Sequence, residues 1–149
     1  MRYIAYTDGA CSKNPGPGGW GAIVVNESTG EEVEYSGFFE VATNNRMEMF
    51  AAIRALEEIP AGSYVTLYTD SRYLASAFNE HWIDKWMNNG WRTQNRRPVL
   101  NQDLWNNLLV LVETRTVDFQ WIKGHAGHNY NERVDQLARN EVLNNLPSE

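Results

Sequence analysis

Two short segments of the chain place an aspartate directly after an apolar, β-prone run and directly before a small residue. They read YTDGA at residues 6–10 and YTDSR at residues 68–72. If the two runs form adjacent parallel strands, Asp8 and Asp70 end those strands and meet at one edge of the sheet, where α/β folds bind ligands. Taken singly, each aspartate is explained as well by a role in capping a turn.

Two further acids lie beside the apolar faces of predicted helices. Glu48 falls in the predicted first turn of one helix, and Asp135 shares a helical face with Ala138 and Val142. Each has a structural alternative, because Glu48 can interact favourably with a helix N-terminus and Asp135 can form an ion pair with Arg139 one turn later. The hypothesis of a site therefore depends on the convergence of all four acids.

Four converging carboxylates would need partners. Two carboxylates about 4 Å apart repel by roughly 4 kcal/mol at an effective dielectric of about 20, and a whole domain is stable by only about 5–15 kcal/mol. Such a cluster needs shared protons or cations, and ligation by oxygen alone suits Mg²⁺ or Mn²⁺ better than Zn²⁺. Two divalent ions would neutralise the four charges, an arrangement suited to in-line attack on a phosphodiester.

The elements that would position these acids follow from the hydrophobic pattern. Alternating residues predict three early strands joined by short turns as an antiparallel meander, at residues 3–7, 21–26 and 33–41. Gly9 is expected to open a loop toward Asn14. The period then changes to that of a helix over residues 49–56, which Thr43 or Asn44 can cap and which ends before Pro60.

The second half of the chain alternates between strands and helices. We expect strands at residues 65–69 and 117–121, and helices over residues 74–78, 82–87, 104–111 and 134–142. Ser71 is expected to start the first of these helices, and Gly90 to end the second. The whole pattern predicts an α/β fold with a five-stranded mixed sheet, three strands antiparallel and then parallel ones, flanked by helices.

The composition sets the outer limits of the interpretation. A chain of 149 residues with 42% hydrophobic residues is predicted to be one domain, residues 1–149. It has a single cysteine, Cys11, and no apolar run typical of a signal peptide or a membrane span, so we expect a cytoplasmic protein. The formal charge of -6 argues against a nucleic-acid partner at face value, although phosphates respond to charge within only about 8–10 Å.

Motifs along nearly the whole chain resemble, in order, those of type 1 ribonuclease H in its stand-alone, bacterial-like form. They read YTDGACSKNPGPGGWG, TNNRMEM, YTDSRY, WIDKWMNNGW and WIKGHAGHNYNERVDQLA. The resemblance implies a monomeric endonuclease that cuts the RNA strand of RNA–DNA hybrids at any sequence and leaves 5′-phosphate and 3′-hydroxyl ends. It also implies a pair of Mg²⁺ ions, for which Mn²⁺ can substitute, bound by the four acids Asp8, Glu48, Asp70 and Asp135. His125 matches a loop histidine that assists proton transfer or product release.

The resemblance also implies contacts to the substrate. Three amide side chains match positions in the minor groove of the hybrid, where the 2′-hydroxyl distinguishes RNA: Asn14, Asn44 and Asn45. Thr43 and Asn101 match a phosphate pocket for the DNA strand. Val41 stands where some relatives have an arginine in that pocket, so we expect the pocket to be weaker here.

Residues 82–98 resemble the family's basic helical protrusion, which grips the DNA strand. Its cations, set against Asp84, give a local charge of 4 - 1 = +3: Lys85, Arg92, Arg96 and Arg97. The interleaved Trp82, Trp86 and Trp91 suit sugar or base packing, or else form the buried stripe of a helix. The neutral run 87–89 stands where relatives often have more basic residues, which predicts weaker and less salt-dependent binding.

Two other functions remain open from the sequence. A DNA nuclease or resolvase could use the same superfold, because a fold does not determine a substrate. A hybrid-binding module without catalysis is the second alternative. The asparagines and the protrusion argue against the first, and the presence of all four acids argues against the second.

Overall fold

The computed structural model describes residues 1–124 and 129–145, and these residues contain five strands and five helices. The strands are β1 Arg2–Cys11, β2 Gly16–Asn26, β3 Glu32–Ala42, β4 Tyr64–Thr69 and β5 Thr116–Trp121. The helices are α1 Asn44–Glu57, α2 Arg72–Asn79, α3 Trp82–Asn88, α4 Gln102–Glu113 and α5 Asn129–Asn145.

The strands form one mixed sheet in the order β3-β2-β1-β4-β5. The pairs β1–β2 and β2–β3 are antiparallel, and the pairs β1–β4 and β4–β5 are parallel. The predicted fold class is therefore confirmed, including the antiparallel first half and the parallel second half. The central strand β1 thus has the antiparallel β2 on one side and the parallel β4 on the other.

The first two strands are longer than the sequence pattern predicts. Pairing of β1 with β2 continues from Asp8, opposite Gly21, to Cys11, opposite Gly18, although pairing of β1 with β4 stops at Tyr6 and Tyr68. Asp8 therefore lies inside a strand, not at its end. The predicted strands leave residues 8–20 as a connection, but the glycines from Gly16 onward belong to β2, since backbone ladder bonds form without side chains.

Alternating residues of the central strands supply two separate cores. Ala5 and Ala22 belong to the large core with α1 and α4, whereas Tyr6 and Ile23 pack with Val134 of α5. Neighbouring residues of a strand face opposite sides of the sheet. The sheet therefore carries α5 on one face and the other core on the opposite face.

Helix α5 lies close to the backbone of β2. A Cβ atom on Gly21 would lie 2.7 Å from Cβ of Leu137 and 2.8 Å from the carbonyl oxygen of Val134. Only glycine permits this approach. The short distance between α5 and β2 therefore depends on the absence of a side chain at Gly21.

The first turns of α5 are also tied to the edge strand β3. The Tyr130 hydroxyl donates to the Glu32 carboxylate, and Arg133 pairs with Glu32 and Glu34 at 3.0 Å each. The Arg133 guanidinium also lies 5.1 Å from the centre of the Tyr130 ring. These contacts hold the end of α5 that carries Asp135.

The protrusion begins as a short helix and continues as irregular backbone. Helix α3 ends at Asn88, and Gly90 follows it with φ of +72°, as predicted. Trp86 packs between Trp82 and Trp91, at 6.2 Å from each, and its ring centre lies 5.5 Å from that of Trp105 in α4. The structural alternative for the tryptophans is thus partly correct, because they anchor the protrusion to the large core.

Candidate active site

The two aspartates with similar surroundings do come together. The parallel β1–β4 register pairs Tyr6 with Tyr68. Asp8 and Asp70 each follow two residues after these tyrosines, so they lie side by side. Asp70 follows β4 directly, and the turn there is fixed by two hydroxyls: Thr69 Oγ1 accepts from the Ser71 amide, and Ser71 Oγ caps α2 at Leu74. Ser71 thus caps the start of a helix at the predicted position.

Glu48 reaches the aspartates because Gly9 lets α1 approach β1. A Cβ atom on Gly9 would lie 2.6 Å from the Glu48 amide nitrogen and 2.6 Å from Cβ of Met47. The sequence-based expectation that Gly9 opens a loop is therefore wrong. Gly9 lies within β1 and makes room for the helix. Glu48 also lies in the second turn of α1, since the helix starts at Asn44 after the Thr43 cap. Its proposed alternative role at the helix N-terminus is accordingly weakened.

Three of the acids form a cluster that could hold a metal ion. One carboxylate oxygen from each lies within 4.8 Å of the others: Asp8, Glu48 and Asp70. We call this set the acidic triad. Asp135 lines the same cavity, of about 420 Å³, but its carboxylate pairs with Arg139 Nε at 3.1 Å. The ion pair that the sequence offered as an alternative for Asp135 is therefore present.

Burial gives two members of the triad unusual proton affinities. Asp8 is 3% exposed and Glu48 is 8% exposed. Burial, followed by the charges of Asp70 and Asp135, raises the pKa of Asp8 to about 8, although a hydrogen bond with Glu48 opposes the shift. Burial and the charges of Asp8 and Asp70 raise the pKa of Glu48 well above its ordinary value. Asp8 and Glu48 thus favour their protonated forms near neutral pH when no cation is bound.

The triad also fits a divalent cation chemically. Glu48 Oε2 is buried and has no hydrogen-bond partner among the described residues, and a buried carboxylate oxygen without a partner is costly. All the ligand atoms are carboxylate oxygens, the ligands that Mg²⁺ and Mn²⁺ prefer. A cation at this position would satisfy the orphaned oxygen and offset the repulsion within the triad.

The predicted minor-groove asparagines lie at the mouth of the cavity. Asn44 and Asn45 begin α1, line the cavity and are exposed. Asn14 lies in the β1–β2 connection, and its Oδ1 accepts from the Asn44 amide at 3.1 Å. The fold therefore brings the three amides to one rim, next to Glu48.

The residues of the predicted phosphate pocket are linked through Arg46, which sequence reasoning missed. Arg46 Nη1 donates to Asn101 Oδ1 at 3.3 Å, and the guanidinium pairs with Asp103 at 2.8 Å. Because a guanidinium can only donate, the amide nitrogen of Asn101 must face the other way, toward the Tyr73 hydroxyl at 3.2 Å. Val41 is 76% exposed beside this group. The TNNRMEM motif could have indicated Arg46, but only the tertiary structure shows its partner.

The predicted cations of the protrusion are exposed and have different roles. Lys85 and Arg92 line a cleft with Trp82 and Trp86. Arg92 also donates to the Arg96 carbonyl at 3.1 Å, which stabilises the irregular segment. Arg96 and Arg97 are both exposed in that segment. His125 lies outside the described residues.

Arg72 is the second residue that sequence reasoning missed. It starts α2 two residues after Asp70 and lines the cavity of the acidic triad. Its guanidinium lies 4.4 Å from the centre of the Trp121 ring. The YTDSRY motif contained this arginine, but nothing in the sequence placed it against a residue of β5.

Comparisons with known proteins identify the family. The sequence profile described as RNase H matches residues 1–143. Two proteins named Ribonuclease H, from Chlorobaculum parvum and Prosthecochloris aestuarii, are 50% and 48% identical to the chain, over 90% and 97% of both sequences respectively. The chain therefore belongs to the ribonuclease H family, and it is a nuclease as predicted.

Solved structures show the same fold. The crystal structure of LC9-RNase H1, a type 1 RNase H with the type 2 active-site motif, matches with a TM-score of 0.81 and 29% identity over 99% of this chain and 74% of that one. LC11-RNase H1 in complex with an RNA/DNA hybrid matches with a TM-score of 0.70 and 24% identity over 97% and 99%. The first confirms the resemblance to type 1 ribonuclease H, and the second supports the fold alone.

No helix within residues 1–124 and 129–145 combines the length and the apolar character needed to cross a membrane.

Proposed function

We propose that the protein is a Mg²⁺-dependent endonuclease that hydrolyses the RNA strand of RNA–DNA hybrids without sequence preference. The observation that carries this proposal is the acidic triad, three carboxylates within 4.8 Å of one another with an orphaned buried oxygen. The rim of asparagines beside it and membership of the ribonuclease H family support the choice of substrate. Mn²⁺ has the same preference for oxygen ligands and is proposed to substitute.

The triad would hold one ion, and Asp135 would complete the charge needed for a second ion in the same cavity. When bound, the metal supplies a water of lowered pKa as nucleophile and stabilises charge on the leaving oxygen. To become ligands, Asp8 and Glu48 must release the protons that burial favours in the metal-free protein. Asp135 can ligate while it keeps its ion pair with Arg139, because a carboxylate has two oxygens.

The ends produced and the proton transfer are also part of the proposal. Attack opposite the 3′ oxygen leaves a 3′-hydroxyl and a 5′-phosphate, and His125 would move a proton at that oxygen. Imidazole titrates near neutral pH, which suits this role. His125 lies in the sequence GHAG, ten residues before Asp135.

Substrate selection is assigned to the asparagines and to the basic residues. Amides both donate and accept, so Asn14, Asn44 and Asn45 can read a 2′-hydroxyl from the minor groove. Thr43 and Asn101 would contact a phosphate of the DNA strand. The protrusion residues Trp82, Lys85, Arg92, Arg96 and Arg97 would bind the DNA backbone further along.

We also propose that residues 1–149 form a single catalytic domain that acts as a monomer in the cytoplasm. All five strands within residues 1–124 and 129–145 belong to one sheet, which carries a core on each face. The single cysteine is compatible with a reducing compartment.

A panel of substrates tests the proposed activity. One sequence is prepared as RNA–DNA hybrid, duplex DNA and duplex RNA, each end-labelled, and incubated with Mg²⁺ or with EDTA. We expect cleavage of the RNA strand of the hybrid only, at many positions, with 5′-phosphate products and only with Mg²⁺. Equal cleavage of duplex DNA, or an intact hybrid, would show that the substrate assignment is wrong.

A further inference from the structure

Arg72 is the one cation among the described residues that line the active-site cavity. The others include the acidic triad, Asp135 and neutral residues. A polyanionic strand that enters a cavity lined by four carboxylates is repelled by them until cations are present. A fixed guanidinium at the rim would reduce this repulsion and attract phosphate.

The guanidinium of Arg72 is held in place by an aromatic platform. It stacks at 4.4 Å from the centre of the Trp121 ring, which is 39% exposed at the end of β5. The indole Nε1 of Trp121 in turn donates to the Asp70 carbonyl oxygen at 3.0 Å. The platform is thus attached to the main chain of a proposed metal ligand, so Arg72 is fixed relative to the triad.

The hydrogen-bonding capacity of Arg72 is unused among the described residues. Other arginines pair with carboxylates there, Arg46 with Asp103 and Arg139 with Asp135, but no ion pair or side-chain hydrogen bond involves Arg72. A guanidinium that stacks on a ring through its face still presents all its N–H groups at the edge. Those groups match the oxygens of a phosphate in a bidentate contact.

We propose that Arg72 binds a phosphate of the RNA strand next to the one that is cleaved. This inference rests on the proposed function, because it places the scissile phosphate at the acidic triad. Arg72 follows Asp70 by two residues on the rim of the same cavity, so the phosphate it meets belongs to the strand that occupies the triad. Stacking on Trp121 lowers the entropy lost when the side chain binds.

A matched control variant distinguishes the loss of a phosphate contact from the general effect of removing one positive charge that stacks on an aromatic ring. Arg2 lies with its guanidinium 5.1 Å from the centre of the Tyr64 ring, at the start of β1 and β4 and therefore at the opposite edge of the sheet. Arg72→Ala and Arg2→Ala remove the same charge and the same kind of contact. Only the first removes a cation from the cavity.

Binding of a fluorescent RNA–DNA hybrid is measured by anisotropy over a range of KCl concentrations, with Mg²⁺, in a Glu48→Gln background. We expect Arg72→Ala to weaken binding about five- to tenfold and to reduce the slope of log affinity against log salt by about one. Arg2→Ala should leave the affinity within about twofold and the slope unchanged. Arg72→Lys should restore the slope but only part of the affinity, because a lysine keeps the charge and loses the planar fork.

An unchanged salt slope in Arg72→Ala would overturn the proposal, even if affinity falls, because the lost contact would then not be to a phosphate. Equal effects of Arg72→Ala and Arg2→Ala would also overturn it. Cleavage of the hybrid by the wild-type protein is measured separately and tests the proposed function, whereas the binding readout does not depend on cleavage. Circular dichroism confirms that each variant is folded.

Discussion

At the scale of residues, the main property of the site is the proton affinity of two buried carboxyl groups. The pKa of Asp8 is raised to about 8, first by burial and then by neighbouring charges, and that of Glu48 is raised by the same causes. The native metal-free protein therefore keeps protons that an unfolded chain releases near the ordinary carboxyl pKa values of 3.8 for Asp8 and 4.5 for Glu48. A cation and these protons compete for the same oxygens.

Stability without metal should therefore fall as the pH rises from about 4 to about 8. The native state binds more protons than the unfolded state in this window, so each rise in pH favours unfolding. Asp8→Asn removes one buried charge and should stabilise the metal-free protein at pH 8 by several kcal/mol. Urea unfolding in EDTA at several pH values measures both effects.

The control for this experiment is saturating Mg²⁺. It should stabilise the wild-type protein most at the upper end of the pH window, where the ligands are ionised, and should stabilise Asp8→Asn less. If the wild-type protein and Asp8→Asn show the same dependence of stability on pH in EDTA, the raised pKa of Asp8 is wrong.

At the scale of elements, the position of Asp135 depends on how closely α5 lies on β2. Gly21→Ala would place a methyl group 2.7 Å from Cβ of Leu137, so the helix must move outward. We expect a loss of about 1–3 kcal/mol in the free energy of unfolding and a lower kcat, because Asp135 moves with the helix. Chemical unfolding and steady-state cleavage measure the two effects.

The matched control is Gly30→Ala. Gly30 has φ of +77° and no neighbouring atom within 4 Å of an added Cβ, so this substitution costs about 1 kcal/mol of backbone strain and should not affect kcat. If Gly21→Ala retains the kcat of the wild type, the spacing between α5 and the sheet does not position Asp135.

The elements also show what the sequence could and could not predict. Hydrophobic periodicity located all ten elements of the part of the chain that the structure describes, because burial on one face leaves a direct trace in the pattern. It placed the end of β1 at Thr7, because ladder pairing through Gly18 and Gly21 has no hydrophobic signature. The prediction that Gly9 opens a loop was wrong for a related reason. A glycine between a strand and small residues has the sequence pattern of a turn, whereas the close approach of α1 is a tertiary contact that the pattern does not show.

The candidate site was predictable to a similar extent. The predicted parallel strands placed Asp8 beside Asp70 correctly. Glu48 joins them through the close approach of α1 at Gly9, which the sequence pattern did not show. The partners of Arg46 and Arg72 were not predictable, because Asp103 and Trp121 lie on elements far along the chain. Sequence patterns carry least information about contacts between side chains that are far apart along the chain.

At the scale of the whole molecule, an acidic protein must bind a polyanion through local charge. The net charge is -6, yet the protrusion carries exposed cations on one segment. Lys85→Gln with Arg97→Gln should weaken hybrid binding and lower the salt slope by about two. The rate at saturating hybrid should be unchanged, because the protrusion lies outside the catalytic cavity. Anisotropy titrations and steady-state kinetics provide these values.

The pair Arg2→Gln with Arg54→Gln removes the same charge outside the protrusion and serves as the control. It should leave the salt slope unchanged. If both double variants lower the slope equally, the net charge governs binding and the protrusion has no separate part in it.

The central claim is that the acidic triad binds the metal ion that catalyses hydrolysis of the RNA strand. The variant Asp70→Asn tests this claim most directly. Cleavage and binding of one labelled RNA–DNA hybrid are measured for the wild type and this variant with Mg²⁺. We predict that binding is retained while the cleavage rate falls by roughly a hundredfold or more, because one charged ligand is lost. Cleavage by Asp70→Asn at a rate near that of the wild type would contradict the assignment of the metal site.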